Sequence, residues 1–97
     1  MKTRVERFRE VAEDIAQLYE AKDRCYGDSF GATYERLGIV SAVTRISDKY
    51  NRLCNLVTMQ DLNVLGESLE DTLKDLAAYA IMTLAQMKQN RERASRI

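Results

Sequence analysis

The sequence predicts an all-α protein, a small bundle of three long helices that assembles as an oligomer. Its 97 residues include no proline and only four glycines, and chains so poor in helix breakers usually form long helices. Apolar residues recur at helical spacing over three segments. A chain this short is near the lower limit for burying its own core, so we expect one helical domain over residues 1–97 that gains burial by association.

The first helix is expected to begin after Thr3 and to run to about residue 24. Thr3 is a preferred N-cap residue, and Glu6 follows three residues later, as in a capping box. Apolar side chains then share one stripe of the helix: Val5, Phe8, Val11, Ala12, Ile15, Leu18 and Tyr19.

A second helix is expected from about residue 32 to residue 57, with apolar residues at near-heptad spacing. These residues are Tyr34, Leu37, Ile39, Val43, Ile46, Tyr50, Leu53 and Val57. Gly38 lies inside the segment and is expected to weaken the helix locally, by about 1 kcal/mol relative to alanine.

The third helix is expected to start at Ser68, which can cap it while Asp71 reaches back from the N3 position. It should pack antiparallel to the second helix. Its end, within residues 88–97, is basic, which suits the negative end of the helix dipole. Residues 58–67 form a linker, for which an extended piece and a helical piece both stay open.

Composition excludes several classes of function. Fifteen basic and fifteen acidic residues cancel, so no overall field favours a nucleic-acid polymer or a membrane surface as partner. Histidine is absent, which removes the commonest general base and the usual zinc ligand. The N-terminus lacks a signal-peptide pattern, and no apolar run reaches the ~20 residues of a membrane span. We therefore expect a cytoplasmic protein.

Asp75 stands in an almost wholly apolar stretch, LKDLAAYAIM. A carboxylate at the border of a core needs a cation or a hydrogen-bond donor. Arg45, Lys49 or Arg52 from the second helix could supply it, as could a metal ion. The charged stripe of the second helix, which also includes Asp48, has a simpler interpretation as a solvated ladder of ion pairs.

The stretch KDRCYGDSF, residues 22–30, concentrates turn residues and aromatics between two helical segments. Gly27 is expected to adopt a positive φ that ends the first helix, and Asp28 or Ser29 to start the next element. Aromatic side chains flank the turn and cations precede it. A nucleotide needs such an aromatic face for its base and such donors for its phosphates, although a helix-ending turn alone would also explain Gly27 and Asp28.

Three runs, KDRCYGDSF, TRISDKYNRL and ESLEDTLKDLAAYAIM, carry a resemblance to a known family. In this order and spacing they resemble the nucleotide-modification-associated domain of the first type, a small helical domain found largely in phages and prophages. The resemblance covers about residues 11–87. It implies an association with nucleotides, through the making or handling of modified bases.

A weaker similarity is to MazG-type nucleotide pyrophosphohydrolases, small helical oligomers that hold Mg²⁺ between acids on adjacent helices. It implies a metal site from Asp48, Glu67, Asp71 and Asp75. The run VTRISDKYNR, however, is rich in cations where that family has a Glu-Glu-x-x-Glu cluster, and Thr72 replaces the first acid of its Glu-x-x-Asp. Cationic side chains at these positions of the second helix would suit direct binding of phosphate groups.

The leading hypothesis is a phage-type protein that captures a free nucleotide, modified or signalling, without turning it over and without a cofactor. Such a protein could act in the host cytoplasm as a sponge against nucleotide-signalling defence, its partners being the nucleotide and further copies of itself. The alternatives are a Mg²⁺-dependent nucleotide pyrophosphohydrolase of modified-nucleotide metabolism and a helical assembly module without ligand. The predicted ligand-binding residues are Lys22, Arg24, Tyr26, Gly27, Asp28, Ser29, Phe30, Arg45, Asp48, Lys49, Arg52, Asp71, Asp75 and Tyr79.

Overall fold

The computed structural model describes residues 1–58 and 68–96, and the regular elements in these ranges are all α-helices. They are α1, Arg4–Tyr26; α2, Ser29–Leu37; α3, Ile39–Thr58; and α4, Leu69–Ala94. The all-α class is confirmed. Apart from its first residue, the predicted linker of residues 58–67 lies outside the described residues, and the oligomer stays a prediction.

Helix α1 begins after the predicted N-cap residue, and the predicted glycine stands at its end. The hydroxyl oxygen of Thr3 accepts a hydrogen bond from the Glu6 amide at 3.0 Å, as expected for an N-cap. Gly27 has φ +69° and donates its amide to the Asp23 carbonyl at 2.8 Å. The left-handed conformation costs glycine little, so the chain turns there. The helix runs two residues further than predicted.

Helix α2 starts directly after this turn. Asp28 is its N-cap, and its carboxylate accepts a hydrogen bond from the Gly31 amide at 2.8 Å. A Cβ atom on Gly31 would lie 2.7 Å from the Asp28 carboxylate carbon, so only glycine leaves room for the cap in this position. The expectation that Asp28 or Ser29 starts the next element is confirmed.

The predicted continuous helix over residues 32–57 is wrong, because Gly38 divides that segment into α2 and α3. Gly38 has φ +74° and donates its amide to the Tyr34 carbonyl at 2.7 Å. Its own carbonyl accepts a hydrogen bond from the Ser41 hydroxyl at 2.8 Å. Gly38 therefore ends one helix and leads into the next, and the three long helices of the prediction become four.

Replacing Gly38 with alanine is expected to lower the free energy of unfolding by about 1 kcal/mol, because a Cβ atom disfavours positive φ. A continuous helix would respond in the opposite direction, gaining about 1 kcal/mol from the same change. Chemical denaturation measures the sign. Ser47→Ala, at an exposed position within α3, is the control and should change stability by at most a few tenths of a kcal/mol.

Helix α4 begins with the capping box expected from the sequence. The hydroxyl oxygen of Ser68 accepts a hydrogen bond from the Asp71 amide at 3.0 Å, and the Asp71 carboxylate accepts one from the Ser68 amide at 3.4 Å. Two otherwise unsatisfied amides of the first turn thereby gain partners.

Helices α3 and α4 pack against each other in an antiparallel arrangement, as predicted for the second and third helical segments. The Arg45 guanidinium lies 6.0 Å from the centre of the Tyr79 ring, whereas Lys49, one turn further along α3, contacts Asp75, one turn earlier on α4. Helix α1 packs on α4, which places the end of α1, the turn after it and the middle of α4 side by side.

Few side chains are buried within the described part of the single chain. Within residues 1–58 and 68–96, the apolar side chains that are buried belong to Ile15, Phe30 and Ala42. Most large apolar side chains of α1 stay exposed, which has consequences for assembly described below. No helix in these ranges combines the length and the apolar character that crossing a bilayer requires.

Candidate functional site

A cavity of about 270 Å³ opens between the end of α1, the turn into α2, α3 and the middle of α4. It collects most of the residues that the sequence singled out. The predicted ligand residues in its lining are Lys22, Tyr26, Gly27, Asp28, Ser29, Phe30, Lys49, Asp75 and Tyr79.

Asp75 lies between two lysines in this cavity. One of its carboxylate oxygens is 3.2 Å from Lys49 Nζ, and the other is 3.7 Å from Lys22 Nζ. The side chains of Asp75 and Lys49 are only 27% and 23% exposed, whereas that of Lys22 is 54% exposed. The predicted cation partner from the second helical segment is confirmed as Lys49. The cluster links α1, α3 and α4.

The two aromatics that flank the turn have different surroundings. Phe30 is buried, with its ring centre 6.4 Å from that of Tyr34 and 6.1 Å from that of Tyr79. Tyr26 is 78% exposed at the rim of the cavity. Phe30 is thus part of the small core, and Tyr26 is the aromatic face that a ligand can reach.

The other predicted ligand residues do not line this cavity, although the Arg45 guanidinium lies over the ring of Tyr79, which does. Arg24 and Arg45 are exposed, Arg52 is half-buried on α3, and Asp71 serves the cap of α4. Asp48 is exposed beside a shallow groove on α3 and does not share the site of Asp75. The sequence analysis selected these residues because they share a helix face. Spacing along a helix does not show which face of that helix is turned toward the cavity.

Seven lining residues were not predicted as ligands: Ile15, Leu18, Tyr19, Asp23, Lys74, Ala78 and Met82. Helical spacing could have indicated two of these residues. Tyr19 lies three residues before Lys22, and Asp23 lies three residues before Tyr26, on the same face of α1. Burial, and then the nearby charges of Asp23 and Asp28, raise the pKa of Tyr19 above 10.0. Its phenol therefore stays protonated at neutral pH and can donate a hydrogen bond into the cavity.

The charges of the lining are mixed. Three lysines, Lys22, Lys49 and Lys74, come from three different helices, and three aspartates, Asp23, Asp28 and Asp75, stand among them. Ammonium groups bind phosphate oxygens, carboxylates accept hydrogen bonds from sugar hydroxyls and base amines, and phenol rings stack on bases. The cavity can therefore meet each part of a nucleotide.

The acids proposed as Mg²⁺ ligands do not converge in the part of the chain that the structure describes. Asp71 belongs to the cap of α4, Asp75 one turn later is paired with two lysines, and Asp48 is exposed on α3. Glu67 is outside the described residues. Within residues 1–58 and 68–96, no group of three Asp, Glu or Cys side chains is placed to hold a metal ion.

Comparison with known proteins identifies one family. The family model described as nucleotide modification associated domain 1 matches residues 22–87. No curated protein and no solved structure gives a match, and the weaker similarity to MazG-type pyrophosphohydrolases is not shown. The matched segment begins at Lys22, and it contains every predicted ligand residue and most of the cavity lining. The chain belongs to the nucleotide modification associated domain 1 family.

Proposed function

We propose that the chain binds a free nucleotide in the cavity between α1, α3 and α4 and holds it without chemical change. The observation that carries the proposal is the juxtaposition of the Lys22–Asp75–Lys49 cluster with the exposed ring of Tyr26 in one cavity. The family description, which names nucleotide modification, supports a role in nucleotide metabolism.

The ligand is held by groups with separate tasks. Lys22 and Lys74 bind the phosphates, Tyr26 stacks on the base, and Asp23 accepts hydrogen bonds from sugar hydroxyls or base amines. A volume of about 270 Å³ is close to the ~300 Å³ at which small-molecule sites begin. That size suits one nucleotide unit. The balanced charge of the chain does not favour a polymer, whose binding depends on many phosphate contacts.

Capture without turnover is supported by the engagement of the carboxylates. Asp75 is paired with two ammonium groups, and Asp28 accepts a hydrogen bond from the first turn of α2. Histidine, the commonest general base, is absent from the chain. We extend the proposal to a biological role: a phage-type member that removes a modified or signalling nucleotide from the host cytoplasm.

The test is to incubate the purified protein with a pool of mono-, di- and cyclic nucleotides, remove the unbound fraction, denature the protein and chromatograph what is released. We expect one intact nucleotide, retained in proportion to the protein. Lys74→Met, which removes one of the proposed phosphate-binding ammonium groups at similar length, should retain less. If a shortened product forms only with Mg²⁺, the protein is a metal-dependent nucleotide hydrolase. If no nucleotide is released from the denatured protein, the chain is a helical assembly module without a ligand.

A further inference from the structure

The chain exposes more surface than a monomer of its mass normally does. Its accessible area is 7745 Å², whereas a folded monomer of 11.1 kDa has about 5,700 Å². The radius of gyration, 15.7 Å, also exceeds the roughly 13 Å of a compact chain of this length. The excess of about 2,000 Å² is within the range that each partner of an obligate complex covers, about 1,000 to 2,500 Å².

Uncovered apolar side chains lie on α1, α3 and α4, and those of α1 stand beside a groove. Phe8 is 76% exposed, and Val5, Val11 and Leu18 are exposed on the same helix. Beside them, a groove of about 410 Å³ runs between α1 and α4. Its lining is rich in small and apolar side chains, among them Ala12, Ala16, Ala78, Ile81, Met82 and Ala85. Small side chains allow another helix to approach closely.

The charges of α1 indicate which helix occupies this groove. Residues 1–9 contain four basic side chains and one acidic side chain, a net charge of +3. Residues 10–20 contain four acidic side chains and no basic one, a net charge of −4. Two copies of α1 side by side therefore attract in the antiparallel orientation and repel in the parallel one.

We propose that a second copy of this chain docks on this face, with its α1 antiparallel to α1 in the groove between α1 and α4. The two-fold axis passes near Val11, so that Arg9 lies beside Glu13 of the other copy, on the same flank of the two antiparallel helices. An interface of this kind is isologous: each copy offers the same surface. The α1 and α4 helices of both copies then form a four-helix bundle.

The groove and the nucleotide cavity share walls, since Tyr19, Phe30 and Met82 line both. Docking of a second copy covers the side of these walls that faces away from the nucleotide. The inference itself does not rest on the proposed function, because assembly is measured on the protein without any nucleotide.

Sedimentation velocity on the full chain at micromolar concentration is the first experiment. We expect the parent to be at least dimeric and Phe8→Asp to be monomeric, with an unchanged helical signal in circular dichroism. Val40→Asp is the matched control, because Val40 is an exposed apolar residue on α3, outside the groove, and it should assemble like the parent. A monomeric parent, or a Phe8→Asp variant that assembles as before, would overturn the proposal.

The orientation is tested by exchanging charges across the axis. Arg9→Glu alone and Glu13→Arg alone are each expected to raise the dimer dissociation constant about tenfold, since each puts like charges together at two symmetric places. The combination of both changes should restore it to within about threefold of the parent, because the pair is attractive again. Additive losses in the combined variant would show that α1 does not lie antiparallel to its copy.

Discussion

Replacing Asp75 with asparagine is expected to lower the free energy of unfolding by about 1 to 3 kcal/mol, since it leaves charged donors in the cavity without their carboxylate. Most of the loss should come from Lys49, whose side chain is 23% exposed. Lys22 is 54% exposed and more easily rehydrated. For a domain of this size, 1 kcal/mol corresponds to about 4 to 8 °C in melting temperature.

The chain provides a matched control for this change. Asp48→Asn makes the same chemical substitution at an exposed position on α3, and it should alter stability by no more than about 0.5 kcal/mol. Both variants are melted at the same protein concentration, because assembly makes the melting temperature depend on concentration. Equal melting temperatures for the parent, Asp75→Asn and Asp48→Asn would show that the cluster does not stabilise the fold.

Replacing Tyr26 with alanine is expected to weaken nucleotide binding by about 1 to 3 kcal/mol, which is the stacking contribution of one base on an aromatic ring. The fold should be little affected, because the side chain is 78% exposed and surface substitutions usually change stability by at most about 0.5 kcal/mol. Calorimetry against mono-, di- and cyclic nucleotides measures the loss.

The control for this change is Tyr50→Ala. Tyr50 is also an exposed tyrosine, but it lies on α3 outside the cavity, so its removal should leave the affinity unchanged. Phe30→Ala would be a poor test of stacking, because the ring is buried and its loss would cost about 3 to 5 kcal/mol of stability. If Tyr26→Ala binds every nucleotide of the panel as tightly as the parent, the base does not stack at this rim.

Helix class and most helix ends could be predicted because their causes are local. The side chains of Thr3 and Ser68 accept hydrogen bonds from amides three residues later, and Gly27 itself adopts the positive φ that ends α1. Gly38 could not be assigned in the same way. A glycine within a helical pattern is compatible with a weakened helix and with a helix end, and the choice depends on how α2 and α3 pack against α4.

The candidate site was predicted in part for the same reason. The sequence by itself determined that Asp75 needs a cation or a hydrogen-bond donor, because an acid among apolar neighbours on one helix cannot stay unpaired. Only the tertiary structure decided that Lys22 of α1 joins Lys49 there, that Phe30 is buried while Tyr26 is open, and that Asp48 lies elsewhere. Spacing along the chain determines which residues share a helix face, whereas the rotation of each helix against its neighbours follows from the packing of the whole core.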